Sequence, residues 1–409
     1  MPTPLTVSRF NSALKVLFPQ KRFQTYKMDD QPFYNYLPKA QDFFGRNGEI
    51  PFQFSVGGGG NSHLFADAQA SKGSAKYTHF VVNRVRDYKI ISIDMEALEA
   101  SEGDNGAYMK ATKAEIEAAN AHIVQQLGAD LQQAGDGRVG VAATVPNAST
   151  FTVGDNEIVH FEPDMRLQSS PSPFSAVRPG GAFGYMLVLS VNYDTNTITV
   201  DTTNGDSTTA YGLTAADRVY PKGNFGISLQ GTEAWVPTDR SNLAVSFNQV
   251  DRSVFPSRLA GIFFDGSSFG LAEAFERAAA RAAKEHCRPD TWWVNYNRFA
   301  DLSLELGAKA IREPVKLGEF AYDSIVMNMA GKKTRFMCDP NFADTTTLGT
   351  TRESWKFWTL KGAPRFLTKE LGSEMLVEPA NDGLEIRIGW RGNLTNNNPG
   401  ANVRMTLPT

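Results

Sequence analysis

Histidine and cysteine are the residues of this chain best suited to metal or nucleophilic chemistry, and their spacing decides whether they could perform it. His63, His79, His122, His160 and His286 are scattered, and none falls in an HExxH or other ligand spacing, so no metal site is predicted. His286 and Cys287 are adjacent. A thiol nucleophile needs a base whose ring can reach it and a third group that orients that base, and adjacency supplies neither. The pair is expected to be structural. The glycine run at 57–60 offers backbone amides that could cradle a phosphate, but no Lys-Ser or Lys-Thr follows at the required spacing and no buried strand precedes it. Glu115/Glu117 and Glu273/Glu276 lie on solvated helix faces, and no GxSxG, CxxC or dinucleotide fingerprint occurs. No catalytic residue and no cofactor is predicted. For a chain of 409 residues that result is itself informative.

The most regular pattern is a helix over residues 106–137. Met109, Ile116, Ile123, Leu127 and Leu131, with Ala119 and Ala134, recur at three- and four-residue steps and form one apolar stripe. Lys113, Glu115, Glu117, Asn120, Gln125 and Gln132 form the other face. Gly135-Asp136-Gly137 is the expected stop, because glycine tolerates the left-handed turn that ends a helix. Such a helix would run on the order of 40 Å.

Composition narrows the class. With 41 basic against 44 acidic residues, a dedicated nucleic-acid binder is disfavoured on charge. Two cysteines, Cys287 and Cys338, suit a reducing compartment. No leader pattern and no bilayer-length apolar run occurs, so the protein is expected in the cytosol where it is made, without a membrane partner.

Before the helix, residues 1–45 carry many aromatics, Phe33 and Tyr34 among them, but Pro19, Pro32 and Pro38 break regular structure. This reads as an extended arm. Residues 49–56 and 77–85 alternate as two strands, joined by a small, polar, glycine-rich stretch, which describes a projecting hairpin with a positive flank of Lys72, Lys76, Arg84 and Arg86. Residues 138–232 turn to Thr, Asn, Asp, Gly and Pro with short alternating runs, the clearest being 186–193 and 197–202 around Asp194-Thr195-Asn196. They read as a small β-barrel or sandwich inserted into an α/β chain. Helix returns at 271–286, followed by the strand Trp292-Trp293-Val294 and a helix capped by Asn297 and ended by Gly307. Further strands are expected at 324–329, 334–338, 355–360, 375–378 and 384–390.

The order of these parts, together with GTEAWVP at 231–237, VDRSVFPSRLAGIFFDGS at 250–267, PDTWWVNYNRFADLSLELGAK at 289–309 and EIRIGWRGNLTNNNPGANVRMTLP at 385–408, closely resembles the major capsid protein of tailed bacteriophages over nearly the whole chain. The resemblance implies an α+β fold of named parts. These are an N-terminal arm (1–45), an E-loop hairpin (46–87), a P-domain with its spine helix (88–137) and an inserted all-β domain (138–232). A mainly A-domain segment (233–345), P-domain return strands (346–373) and A-domain closing strands (374–409) complete it. The departure from the family's pattern is 138–232, which some members lack.

The resemblance further implies a structural, non-enzymatic protein of the virion, assembled in the host cytoplasm as homo-pentamers and homo-hexamers of an icosahedral shell. Its partners would be copies of itself, packaged double-stranded DNA without sequence specificity, a separate scaffolding protein and a portal, and a decoration protein. Gly57, Gly60, Lys72, Lys76, Arg84, Arg86, Phe33 and Tyr34 are the expected inter-subunit contacts. Some family members join an E-loop lysine to a neighbour's asparagine. Lys72 or Lys76 and Asn341 would supply the groups here, but no carboxylate matches the helper role and the polar hairpin tip gives no desolvated amine, so no cross-link is expected. The competing reading is a cytosolic α/β enzyme with a β-barrel insertion, which predicts a pocket with convergent polar groups. A third is a carbohydrate- or surface-binding module in residues 138–232.

Overall fold

The computed structural model describes residues 31–95, 111–171, 175–307, 311–317, 320–367, 375–378 and 382–408. Alternating side chains produce the expected hairpin: Asn47–Ser55 pairs antiparallel with Lys76–Asn83, with Ile50 opposite Phe80. At its base Gly48, Ile50, Phe80 and Val82 are buried, and the Phe80 ring meets Trp235 edge-on at 5.2 Å. The base belongs to the body of the protein. The far half does not.

The strand Val85–Asp94 continues from the hairpin and pairs over its whole length with Gly383–Asn396, in a six-stranded sheet that also holds Lys39–Ala40, Trp355–Thr359, Arg365–Phe366 and Met375–Val377. Ile91, Ile93, Ile386 and Ile388 line one face of this sheet, and Ala119 and Ile123 of the long helix pack against them. The helix is described over Ala111–Asp130, and the predicted start at 106 with Met109 lies outside the described residues.

The helix ends at Asp130, before the glycines expected to stop it. Its last carbonyls are met by tertiary structure: a Cβ at Gly231 would stand 2.4 Å from the Asp130 carbonyl oxygen, and the Thr232 amide donates to the Leu131 carbonyl at 2.7 Å. Gly135 and Gly137, at φ +90 and +82, turn the chain away instead, and Gln132, assigned to the solvated face, is buried with its Oε1 accepting from Thr232. Ala134, expected on the apolar stripe, is exposed beyond the helix end.

Among the described residues, seven short strands between Gly140 and Pro221 pair only with one another, in the order Gly140–Val141, Arg218–Pro221, Arg166–Ser170, Met186–Asn192, Thr197–Asp201, Thr150–Thr152, Thr144–Asn147. Their inner residues, Phe151, Leu167, Val188, Ile198 and Val219 among them, form a core of their own with Phe161 from the connection between two strands. The hairpin Met186–Asn192/Thr197–Asp201 stands where the sequence placed it, with Asn196 at φ +52 in its turn.

A third sheet of seven strands contains the buried strand Thr291–Val294 beside Lys332–Cys338 and Thr346–Thr350. Helix Leu271–Lys284 buries Leu271, Ala274, Phe275, Ala278 and Ala282 against this sheet's core. Helix Tyr296–Leu306 is capped by Asn295, whose side chain accepts from the Asn297 amide, so the cap stands two residues before the expected one. No described helix is long and apolar enough to cross a membrane.

Candidate assembly surface

Eight residues were expected to contact neighbouring subunits, and the structure divides them. Phe33 and Tyr34 sit in the short helix Pro32–Tyr36 and are buried in their own chain. Phe33 packs edge-on against Trp293 at 5.1 Å and Phe342 at 5.8 Å, and Tyr34 Oη donates to the Ala363 carbonyl at 2.6 Å. Pro32 opens that helix as a first-turn proline and the aromatics behind it fold inward, so these two side chains belong to the core and not to an arm. The earlier part of the expected arm, residues 1–30, lies outside the described residues.

Gly57 is also accounted for within the chain, and Gly60 turns at φ +80 with its amide donating to Ser71 Oγ at 3.4 Å. Gly57 adopts φ +78, and a Cβ there would stand 2.6 Å from the Ser74 carbonyl oxygen. Gly59 and Gly73 approach just as closely, a Gly59 Cβ lying 2.2 Å from the Ser71 oxygen. The glycine run is therefore a tight neck between two crossing backbones. Arg84 is likewise held at home, with Nη1 donating to the Phe43 carbonyl at 2.9 Å and its guanidinium over the Phe43 ring. Lys72, Lys76 and Arg86 remain exposed, and no acidic side chain lies within ion-pair distance of them among the described residues.

Beyond the neck the chain forms a six-residue helix, Phe65–Ala70, with no buried residue at all. Phe65 is 81% exposed, Val56 77%, Tyr77 70% and Leu64 67%. Four large apolar side chains on one projection, covered by none of the described residues, form a patch that water disfavours and a partner would bury. The sequence carried a signal for this, since His63-Leu64-Phe65 interrupts an otherwise small and polar stretch.

Elsewhere the chemistry is quiet. Burial pushes the Cys287 thiol up to about 12, which keeps it protonated and unreactive beside His286. A cleft of about 670 Å³ lies between Asp87–Ile90 of the strand, His122 and Gln126 of the long helix, and Glu162–Arg166 of the β-region. Burial, with Lys89 nearby, holds the His122 imidazole down at about 4, so it stays neutral. Asp130, at the buried end of the long helix, is pushed up to about 7 by burial first and by Asp87 and Asp136 second. Asn341, the candidate cross-linking amide, donates from Nδ2 to Gln31 Oε1 at 2.6 Å and Asp339 Oδ1 at 2.9 Å, and is thus engaged inside its own chain.

No protein-family model matches the chain, and no curated protein matches its sequence. Solved structures do. The capsid asymmetric unit of Cyanophage A-1(L) aligns with a TM-score of 0.55 over 96% of this chain and 96% of that one, at 9% identity. The capsid of a native GTA particle (TM-score 0.49, 7% identity, 100% and 99% of the two chains) and the SrpI encapsulin of Synechococcus elongatus PCC 7942 (TM-score 0.49, 6% identity, 99% and 96%) are more distant. At such identity the likeness is one of architecture, and that architecture, along nearly the whole chain, is the fold of the tailed-phage major capsid proteins.

Proposed function

We propose that this chain is the structural subunit of a phage head, assembling as pentamers and hexamers into an icosahedral shell that encloses double-stranded DNA. The observation that carries the proposal is the hairpin projection, whose helix Phe65–Ala70 buries none of its own residues, in a chain that follows a phage capsid fold over 96% of its length. A projection of this kind is costly to leave in water and is completed by a neighbour's surface. In this reading the hairpin is the E-loop and Ala111–Asp130 is part of the spine helix. The sheet of residues 140–221 is an inserted domain on the outer face, stabilising capsomers or receiving a decoration protein. Lys72, Lys76 and Arg86 remain candidates for contact between subunits, while Gly57 and Gly60 shape the neck that presents them. A separate scaffolding protein and a portal complete the assembly, and the near-neutral charge of the chain fits a shell that coats DNA without reading its sequence. Electron microscopy of the purified chain, alone and with DNA-filled particles as reference, tests the proposal: large uniform shells or tubes support it, and a stable small oligomer with no larger product counts against it.

A further inference from the structure

Another cavity, of about 270 Å³, lies where three parts of the molecule meet: the turn after the long helix at Gln132 and Arg138, residues 156–160 of the seven-stranded region, and the body of the chain at Glu233 and Arg404. Two polar side chains of its wall are nine-tenths or more buried, and each leaves an atom without a partner among the described residues: Gln132 Nε2 and His160 Nδ1. A buried polar atom left unpaired is destabilising, so two of them around one cavity mark a place that something else fills.

The wall spends its acceptors and keeps its donors. Gln132 Oε1 accepts from Thr232 Oγ1 at 2.9 Å, Gln133 Oε1 from Arg138 Nε at 2.8 Å and Asn156 Oδ1 from Asn295 Nδ2 at 2.8 Å. The amide nitrogens of Gln132, Gln133 and Asn156 donate to nothing among the described residues. Glu233 accepts from the Thr238 amide and hydroxyl and pairs with Arg404 at 3.3 Å, and Glu157 Oε2 accepts from the Val141 and Gly154 amides. Arg138 has no carboxylate within ion-pair distance among the described residues. Burial holds the His160 imidazole down at about 4, so the ring is neutral near pH 7 and Nδ1 can carry its proton. Two arginines against two glutamates leave the wall close to neutral, and its N–H groups, rather than net charge, select the occupant. Each water brings two donors that find few open acceptors here, whereas an oxyanion only accepts.

We propose that this pocket binds one small oxyanion, of carboxylate or phosphate type, through Gln132 Nε2, His160 Nδ1 and the Arg138 guanidinium, and that the bound anion ties the seven-stranded region to the body of the subunit. Hydrogen bonds already cross this junction, from Asn295 to Asn156 and from Gln125 Nε2 to the Val159 carbonyl at 2.5 Å. The anion adds the groups that those bonds leave unpaired. The site belongs to the single subunit and does not rest on the assembly reading.

The test follows melting of the full-length chain by calorimetry while inorganic phosphate or acetate replaces chloride at constant ionic strength. The melting temperature should rise saturably by a few degrees, with half-saturation on the order of 1 mM. Kosmotropic salts stabilise any fold, but that background does not saturate in this range and does not depend on Arg138. Arg138→Met, at a half-buried position, should weaken half-saturation by about tenfold or more while melting in chloride stays in place. Gln132→Glu keeps the oxygen that accepts from Thr232, replaces the donor by a second oxygen and should abolish the saturable rise; if that variant does not fold, Arg138→Met decides alone. A rise with one of the two anions supports the site and identifies its class. A rise with neither, or one undiminished in the variants, would overturn the site and leave the pocket to water.

Discussion

The hairpin and the seven-stranded sheet of residues 140–221 are both made of short antiparallel strands, but they solve opposite problems. The sheet and the loops beside it bury a core of their own: Phe151, Phe161, Ile198 and Val219 are fully buried, and among the described residues its strands pair only with one another. The hairpin buries its base and leaves Val56, Leu64, Phe65 and Tyr77 uncovered. One region is finished within the chain, and the other, in the proposed assembly, is finished by a neighbouring copy. Similar local structure thus buries its apolar side chains in one place and presents them to solvent in another, and the proposed association follows from that difference.

The largest expected effect removes the unfinished region. Deleting residues 57–76 should leave a folded chain, since the buried base at Ile50, Phe80 and Val82 lies outside the deletion, yet abolish closed shells. Normal shells from that variant would break the comparison. The complementary experiment isolates the finished region: residues 138–232 expressed alone should give dispersed NMR spectra and cooperative melting. A disordered spectrum would mean that its core depends on the rest of the chain.

A third prediction sharpens the boundary between core and arm. Phe33→Ala should destabilise the monomer by about 3–5 kcal/mol, the usual range for deleting a buried aromatic, as read by denaturant unfolding. A residue that only touched a neighbour would leave monomer stability unchanged and alter assembly instead.

Asp130 gives a smaller, pH-dependent effect. Its carboxyl is pushed up to about 7, above its ordinary value, so the native state holds a proton that the unfolded chain releases near pH 4. The resulting stability is complete below that pH and is lost as the pH rises through about 7. Asp130→Asn, which keeps an oxygen to accept from Gln126 Nε2, should raise the melting temperature by a few degrees at pH 8 and barely change it at pH 4. Equal shifts at both pH values would contradict the buried-carboxylate account. The smallest expectation is no change at all. Particles boiled in denaturant and reductant should run as one monomer band, since the Asn341 amide is occupied by Gln31 and Asp339. A ladder of linked multimers would reverse that expectation.

Much of the architecture was legible because periodicity reports burial. Ile123 and Leu127, the Leu271 helix face, Trp292-Trp293-Val294 and the hairpin at 186–201 all appeared where their patterns put them. What sequence could not supply was tertiary choice. The long helix stops where Gly231 and Thr232 meet its last carbonyls, partners a hundred residues away, and no local signal marks that. Phe33 and Tyr34 looked like arm residues because proline broke their pattern, whereas Trp293, Phe342 and Phe357 were waiting to receive them. The glycine run read as a flexible tip, but glycine serves equally where two backbones must touch. Of the candidate surface, the positive flank was visible in the sequence. The exposure of the Leu64-Phe65 step needed the fold.

In the proposed assembly, a chain with this fold completes its hairpin on other copies of itself. Electron microscopy of the purified full-length protein tests it most directly. The account predicts large closed shells or tubes of regular subunits, lost when residues 57–76 are removed; a monodisperse monomer or small oligomer under all assembly conditions, unchanged by that deletion, would contradict it.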